Sequence, residues 1–368
     1  MPRLSLWAVS ALLCCVLIFN KAFAQQSNYQ IETIVDGLNS PWALAFLPGG
    51  DMLITELGGT LRRISDGELV QVPITGVPPV YYAGQGGLMD VVTDAEFNRN
   101  QRVYLSFAHG DKSGNATRMI SARLVDMQLE DVEILFTAKP LKKTPHHYSA
   151  RIAQMADGSL LMGVGDGFNY REQAQTLDNH LGKVIRIQRD GQVPSDNPWA
   201  DDPQALPEIW SRGHRNMQAI LVAPDGTVFA NEHGPQGGDE VNIITPGLNY
   251  GWPVITYGID YSGARISPYT EYAGMEQPLV DWTPSIAPAG MTYYDGSQFP
   301  QWQGSLFTVS LAERSIRRTV VEQGKLVSDE KVFPELNDRM RDIRTGPDGA
   351  LYVLTDGENG KLIRISSQ

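Results

Sequence analysis

The chain has 368 residues, with 30 Lys and Arg against 42 Asp and Glu, a formal net charge of −12 at pH 7. No basic stripe runs through it, which argues against nucleic acid as a partner, because phosphate binding rests on clustered Lys and Arg. Its 2 cysteines, Cys14 and Cys15, both fall in an apolar leader, so the rest of the chain has no thiolate nucleophile and no Cys-held metal centre.

Residues 1–24 read as a Sec-type signal peptide. Arg3 gives the positive start, residues 4–19 the apolar stretch, and Ala22-Phe23-Ala24 the small-x-small cleavage pattern. The stretch is short for a stable membrane span. Cleavage predicts a periplasmic or secreted protein, and loss of Arg3 and Lys21 leaves 28 basic against 42 acidic residues, a net charge of −14. Without disulfides such a protein rests on core burial, which a domain of this size can supply. No linker or low-complexity tract interrupts residues 30–366, so residues 25–368 are expected to form one domain.

Along that domain one phrase recurs six times: an apolar run, a tight turn, and a second β-rich run. The copies turn at Pro48-Gly49-Gly50-Asp51, near Asn98 to Asn100, at Asp157-Gly158, at Pro224-Asp225-Gly226, near Gln303-Gly304 and at Pro347-Asp348-Gly349. Strands are expected after these turns at 52–55, 102–105, 160–163, 227–230, 305–308 and 350–353. Gly-containing turns between β-branched and aromatic runs are strong local hairpin signals. A repeat of about 40 to 60 residues made of short strands is the signature of propeller blades, since one small sheet cannot bury both its faces alone. Six copies predict an all-β, six-bladed β-propeller of four-stranded antiparallel blades; six hairpins are too many for a single β-sandwich.

Four segments are poor structural filler. In chain order they are His146-His147 before the third copy, Arg212-Gly213-His214-Arg215-Asn216, the run from Asn231 to Asn242 with Glu232-His233-Gly234-Pro235-Gln236-Gly237-Gly238-Asp239-Glu240, and Arg339-Met340-Arg341 at the start of the last copy. A histidine titrating near neutral pH at a channel mouth suits removal of an alcohol proton, although neighbouring loop histidines are also commonly just solvated. Carboxylates among glycines offer the mix of hard oxygens and main-chain carbonyls that calcium prefers, or equally an acidic surface turn. Strand alternation puts Arg339 and Arg341 on one face, where two guanidinium forks suit a ligand with several carboxylates, or pair with Asp338 and Asp342.

Together these segments resemble the soluble pyrroloquinoline quinone (PQQ) dependent sugar dehydrogenases, and within them the bacterial aldose sugar dehydrogenases. The resemblance runs from Pro41-Trp42-Ala43-Leu44-Ala45-Phe46 through Gly84-Gln85-Gly86-Gly87-Leu88 and the Glu-His-Gly-Pro string to Asn249-Tyr250-Gly251-Trp252-Pro253 and Pro347-Asp348-Gly349. It implies PQQ and calcium as cofactors, an aldose as substrate and an unnamed electron acceptor, in a monomer or homodimer with no membrane span. By the same resemblance, His147 is the general base and Arg215 stabilises charge on the quinone. Gln85, Arg215, Asn216, Tyr261, Arg339 and Arg341 contact PQQ. Gly234 and Pro235 hold the catalytic calcium through main-chain carbonyls, and Glu240 and Tyr250 bind a further, structural calcium. One departure stands out: relatives often place a cofactor-contacting lysine where this chain has Ala312, with Arg314 two residues on. The rival expectations are a calcium-dependent lactonase or esterase on a six-bladed propeller, which needs no arginine cluster, and a non-catalytic binding propeller. No nicotinamide fingerprint occurs, because the Gly-rich strings do not open a helix after a strand.

Overall fold

A computed structural model of the protein describes residues 28–368, so the signal-peptide reading of residues 1–24 lies outside the described residues. The expected six-bladed propeller is what the chain forms: six four-stranded sheets, every neighbouring pair of strands antiparallel. The first blade holds β2 (Pro41–Phe46), β3 (Met52–Glu56), β4 (Thr60–Ser65) and β5 (Glu68–Leu69). The second holds β6 (Leu88–Thr93), β7 (Arg102–Asp111), β8 (Gly114–Val125) and β9 (Gln128–Thr137), and the third β10 (Ser149–Gln154), β11 (Leu160–Val164), β12 (Lys183–Ile187) and β13 (Ile209–Arg212). The fourth comprises β14 (Met217–Val222), β15 (Val228–Glu232), β16 (Asp239–Ile243) and β17 (Val280–Trp282); the fifth comprises β18 (Pro288–Tyr293), β19 (Ser305–Ser310), β20 (Ile316–Glu322) and β21 (Lys325–Val332).

The sixth blade takes β22 (Met340–Thr345), β23 (Leu351–Thr355) and β24 (Gly360–Ser367) from the end of the chain and its outermost strand, β1 (Tyr29–Leu38), from the beginning. The six sequence repeats leave Tyr29–Leu38 outside them all. Pairing Tyr29 with Ser367 and Ile31 with Ile365 sews the ring shut inside one sheet, so closure uses main-chain hydrogen bonds rather than side-chain packing alone.

Six buried apolar clusters sit at the six junctions between neighbouring blades. Leu53, Leu88 and Leu105 join the first blade to the second, and Phe307, Ile343 and Val353 join the fifth to the sixth. Because both faces of each sheet are covered, β3, β11, β15 and β19 are buried along their whole length. Their sequences therefore read as continuous apolar runs rather than as an alternation.

In every blade the pairing of the first strand with the second carries a register shift within its first few residues. A bulge there bends the strand and re-aims its side chains at the mouth of the central channel. Deeper on the axis lies Arg151, 2% exposed. Its Nε donates to the Gln218 carbonyl at 2.7 Å, its Nη1 lies 3.3 Å from Asp90 and 3.2 Å from Asp342, and its guanidinium stacks 3.9 Å over Trp42. One side chain of the third blade thus ties together the inner strands of the first, second, fourth and sixth.

Candidate active site

At or just past the end of the second strand, four of the six blades place an acidic residue that serves the entry to the blade, Glu56, Asp166, Glu232 and Asp356; Asp111, which ends β7, accepts instead from Ser113 and Gly114 in its own turn. Each of the four reaches back to the segment that enters the first strand of its own blade, where the bulge leaves groups without ladder partners. Glu56 accepts from the Asn39 amide at 2.7 Å. The other three hold the residues singled out from sequence.

Asp166 holds His147. Its Oδ1 lies 2.6 Å from His147 Nδ1 and accepts from the Phe168 amide at 2.7 Å, while Oδ2 accepts from Trp252 Nε1 at 2.7 Å. Burial alone would raise the Asp166 carboxyl, but the hydrogen bond and charge of His147, then Arg215 and the Phe168 amide, outweigh it and hold the carboxyl below its usual range. Burial pulls His147 below the usual histidine range against the opposing pull of Asp166, with the Arg215 and His146 charges adding to the fall. The pair is therefore an ionised Asp166 and a neutral imidazole that donates from Nδ1, which leaves the Nε2 lone pair available. The main chain around it is unusual: His147, Ser149 and Ala150 have φ of 50°, 58° and 74°. Three non-glycine residues in the left-handed region within four positions mark strain held in place by the surrounding structure. Gln85 fixes this loop, its Oε1 accepting from the His147 amide at 2.8 Å.

Glu232 accepts from the Arg215 amide at 2.5 Å and meets His214 Nδ1 at 3.2 Å. The Arg215 guanidinium turns toward the next loop, its Nη1 donating to the carbonyls of His233 at 2.9 Å and Gly234 at 2.7 Å. Asp356 takes both remaining arginines, Arg339 through Nε and Nη2 at 3.1 and 3.0 Å and Arg341 through Nε and Nη2 at 3.2 and 3.1 Å. The two guanidinium groups converge although a bulge separates Met340 from Asp342.

These groups line three adjoining spaces. An axial cavity of about 390 Å³ is bounded by Gln85, Ser149, Asn216, Gln218, Arg339 and Arg341. A second cavity, about 440 Å³, is bounded by Phe168, Arg171, Arg215, Pro235, Trp252 and Tyr261. A small space of about 10 Å³ lies among Glu232, Gly234, Glu240 and Tyr250. Gln85, Asn216, Arg339 and Arg341 therefore meet around one cavity from the second, fourth and sixth blades, whereas Tyr261 stands in the neighbouring cavity with Arg215. His147 is 4% exposed, and its ring packs edge-on against Phe168 with centroids 5.0 Å apart.

The axial cavity fits a multiply charged, polar ligand. Asn216 Oδ1 and Ser149 Oγ, both buried on its wall, have no hydrogen-bond partner in the protein, and neither does Arg215 Nε next door. Buried polar groups are nearly always paired, so orphans gathered at one place mark where a partner binds. Arg314, two residues after Ala312, is exposed and does not line this cavity.

The loop carrying Gly234 and Pro235 is folded so tightly that a Cβ on Gly234 would lie 2.2 Å from the Gly237 carbonyl oxygen and 2.3 Å from that of Gly238. The Gly237 and Gly238 oxygens thus pack on the Gly234 α-carbon, and only glycine fits there. Asp239 is not a free ligand: it accepts from the Gly234 amide at 2.8 Å, Ser285 Oγ at 2.6 Å and the Ala287 amide at 2.8 Å, and so anchors the loop. Burial, then Glu232, Asp281 and Asp239, push the Glu240 carboxyl up to about 8. The Tyr250 hydroxyl is spent on the Ile243 carbonyl and the Thr245 amide, so this residue has only its main-chain oxygen to offer a metal. Among the described residues no cluster of three or more His, Cys, Asp or Glu side chains could hold a metal; a cation in this loop depends on carbonyls.

The six-bladed propeller thus carries an arginine-lined axial cavity and a histidine oriented by a buried carboxylate. The chain belongs to the Glucose / Sorbosone dehydrogenase family, whose profile matches residues 38–364, and with that family to the oxidoreductases. It is 39% identical over 358 residues to the aldose sugar dehydrogenase YliI of Escherichia coli, covering 95% of this chain and 96% of that one. The crystal structure of the soluble E. coli aldose sugar dehydrogenase in its apo form superposes with a TM-score of 0.89 at 40% identity, covering 92% of this chain and 100% of the other. The PQQ-bound aldose sugar dehydrogenase of Streptomyces coelicolor superposes with a TM-score of 0.76 at 25% identity, covering 92% and 98%.

Among the residues that build this site, sequence reasoning does not single out Asp166, Asp356, Ser149, Gln218 or Phe168, since nothing local marks them. Alignment of the copies on their second strands exposes both acids, since Gly-Asp-Gly and Thr-Asp-Gly end those strands where Glu56 and Glu232 end theirs.

Proposed function

We propose that this protein is a PQQ-dependent dehydrogenase that oxidises the anomeric hydroxyl of aldoses to lactones. The observation that carries the reading is the pair of arginines converging on Asp356 in the cavity that the unpartnered Asn216 Oδ1 also lines, in a chain that holds His147 oriented and neutral on Asp166. A neutral sugar gives no reason for two guanidinium forks in one cavity; a cofactor with several carboxylates does. The PQQ-bound relative from S. coelicolor supports the same choice.

When bound, PQQ would supply the hydride acceptor and calcium a Lewis acid beside it. Everything else is done by the chain. Arg339 and Arg341 pair with cofactor carboxylates, Gln85 and Asn216 complete the wall, and Tyr261 stands at the border between cofactor and sugar. The carbonyls of Gly234 and Pro235 would hold that calcium, and Glu240 with the Tyr250 carbonyl would hold a structural one. The C1–H bond breaks with its electron pair leaving as hydride, the hydroxyl proton goes to His147 Nε2, and the C1–O bond becomes the lactone carbonyl. Asp166 fixes the tautomer that makes Nε2 the base, and Arg215 opposes negative charge growing on the cofactor oxygen.

Residues 25–368 serve as a single catalytic domain, delivered by the signal peptide at 1–24 to the periplasm or medium as a monomer or homodimer. Among the described residues no helix is long and apolar enough to cross a membrane. The test is to add PQQ and calcium to purified apoprotein with glucose and an artificial electron acceptor. Dye reduction that requires both cofactor and aldose is expected. No reduction in fully loaded protein, or cofactor-free hydrolysis of a lactone, overturns the reading.

A further inference from the structure

The second cavity has a wall that neither the cofactor nor the base accounts for. Phe168 is 40% exposed and Tyr261 56% exposed, and their rings lie 25° from parallel with centroids 6.3 Å apart. Phe168 is also held in the left-handed region, φ 68°, where a bulky residue is rarely found. The strain has a visible cause. The Phe168 amide donates to the same Asp166 oxygen that faces His147, and the ring comes to rest edge-on to the His147 imidazole at 85°. A costly conformation therefore fixes an exposed aromatic face next to the base. The same lining also carries charge: Arg171 and Asp260 lie 3.5 Å apart.

We propose that Phe168 and Tyr261 form a platform that stacks on the C–H face of a pyranose ring and holds it with C1 toward His147, while Arg171 and Asp260 meet the hydroxyl edge. A sugar ring is the ligand whose surface divides in that way, with a nearly flat C–H face and hydroxyls around its rim. An acyclic polyol has the hydroxyls without the face. A cavity of about 440 Å³ falls within the range of about 300 to 1,000 Å³ typical of small-ligand sites. The platform makes these two residues positioning and specificity residues, and it rests on the dehydrogenase reading above.

The test uses the PQQ-loaded enzyme and the variants Tyr261→Ala, Phe168→Ala and Phe168→Tyr. Three quantities are measured: aldose KM and kcat, the inhibition constant of a 1,5-anhydro sugar that keeps the ring but has no oxidisable C1 hydroxyl, and PQQ affinity from titration of apoprotein. Loss of an aromatic contact is expected to raise KM and that inhibition constant about 3- to 10-fold in both alanine variants. Phe168→Tyr keeps the parent values, and PQQ affinity stays within about twofold in Phe168→Ala, since the Phe168 ring does not line the axial cavity. Inhibition by an acyclic polyol is expected to be weak in the parent and unchanged in the variants. The platform is refuted if the parent oxidises aldoses and both alanine variants keep its KM, or if their whole defect lies in PQQ affinity. A loaded parent that oxidises no aldose removes the dehydrogenase reading and the platform with it.

Discussion

Replacing Asp166 by Asn changes one atom of the group that sets the state of His147. The carboxylate receives three N–H donors, from His147 Nδ1, the Phe168 amide and Trp252 Nε1. An Asn side chain has one acceptor oxygen and an NH₂ group, so at least one of those buried donors must face another donor. If the amide oxygen stays with the Phe168 amide and His147, Trp252 loses its partner. If it turns to Trp252, His147 is driven to the other tautomer, with the proton on Nε2 and no lone pair for the sugar hydroxyl. A hydrogen bond to a charged group contributes about 1.5 to 3 kcal/mol, which at about 1.36 kcal/mol per decade is a fall in kcat of roughly 10- to 150-fold.

The pH profile supplies a second, independent readout. Activity requires the neutral imidazole and is lost as pH falls through its depressed pKa, so the acid limb of the parent lies below about 6.5. Asp166 is the influence that raises this pKa against burial, so Asp166→Asn moves the acid limb to still lower pH. Dye-reduction rates across pH on fully loaded protein, with loading verified by PQQ absorbance, measure both effects. PQQ affinity should not change, because Asp166 does not line the axial cavity. Retention of kcat within threefold, or a limb that moves upward, would show that Asp166 does not position the base.

Arg341→Ala removes one of two charge-assisted anchors and should weaken PQQ binding about 10- to 150-fold in apoprotein titration, by the same 1.5 to 3 kcal/mol. Stability should change little, because Asp356 keeps Arg339 as its partner; unaltered affinity would remove Arg341 from the cofactor site. Arg151→Ala removes one of the two cations that the buried Asp90 and Asp342 share and should lower unfolding free energy by about 3 to 5 kcal/mol in denaturant titration. A loss below 1 kcal/mol would show that Arg344, 3.4 Å from Asp90 and 3.2 Å from Asp342, carries the pair alone.

What could be read from the sequence was local. Pro-Asp-Gly and Pro-Gly-Gly turns fall between strands because they supply the positive φ a tight turn needs, as at Gly226 with φ 88° and Gly349 with φ 79°. The buried second strands announce themselves as apolar runs. The strand that closes the ring does not. β1 mixes exposed and half-buried positions along its length, and its partner Ser367 lies at the other end of the chain from Tyr29, so no window of sequence contains the pair. The contact of Trp252 with Asp166 spans 86 residues and is invisible for the same reason. Asp239 looks like a ligand in the sequence because an acid beside glycines is what a metal loop and a self-anchored loop have in common; the hydrogen bonds to Gly234, Ser285 and Ala287 decide between them.

The four acids that end second strands explain why the site sits where it does. A bulge at the entry of every first strand leaves amides and side chains that the ladder cannot satisfy, and an acid one strand away is the simplest remedy. In the first blade that remedy is only structural, since Glu56 takes the Asn39 amide. In the second and fifth blades the main chain does the work instead, with Ala108 donating to Gly87 at 2.9 Å and Leu311 to Ala287 at 2.9 Å. Where the acid is retained and the entering residue is His147, Arg215 or Arg341, the same geometry orients a base, turns a guanidinium toward Gly234, or locks two arginines side by side. The chemistry therefore needed no new scaffold. It required a change of residue at positions that each blade was already built to hold rigidly, and this is why the candidate site draws on the third, fourth and sixth blades and takes from the fifth mainly the Leu311 carbonyl that steadies Arg339 at 3.2 Å.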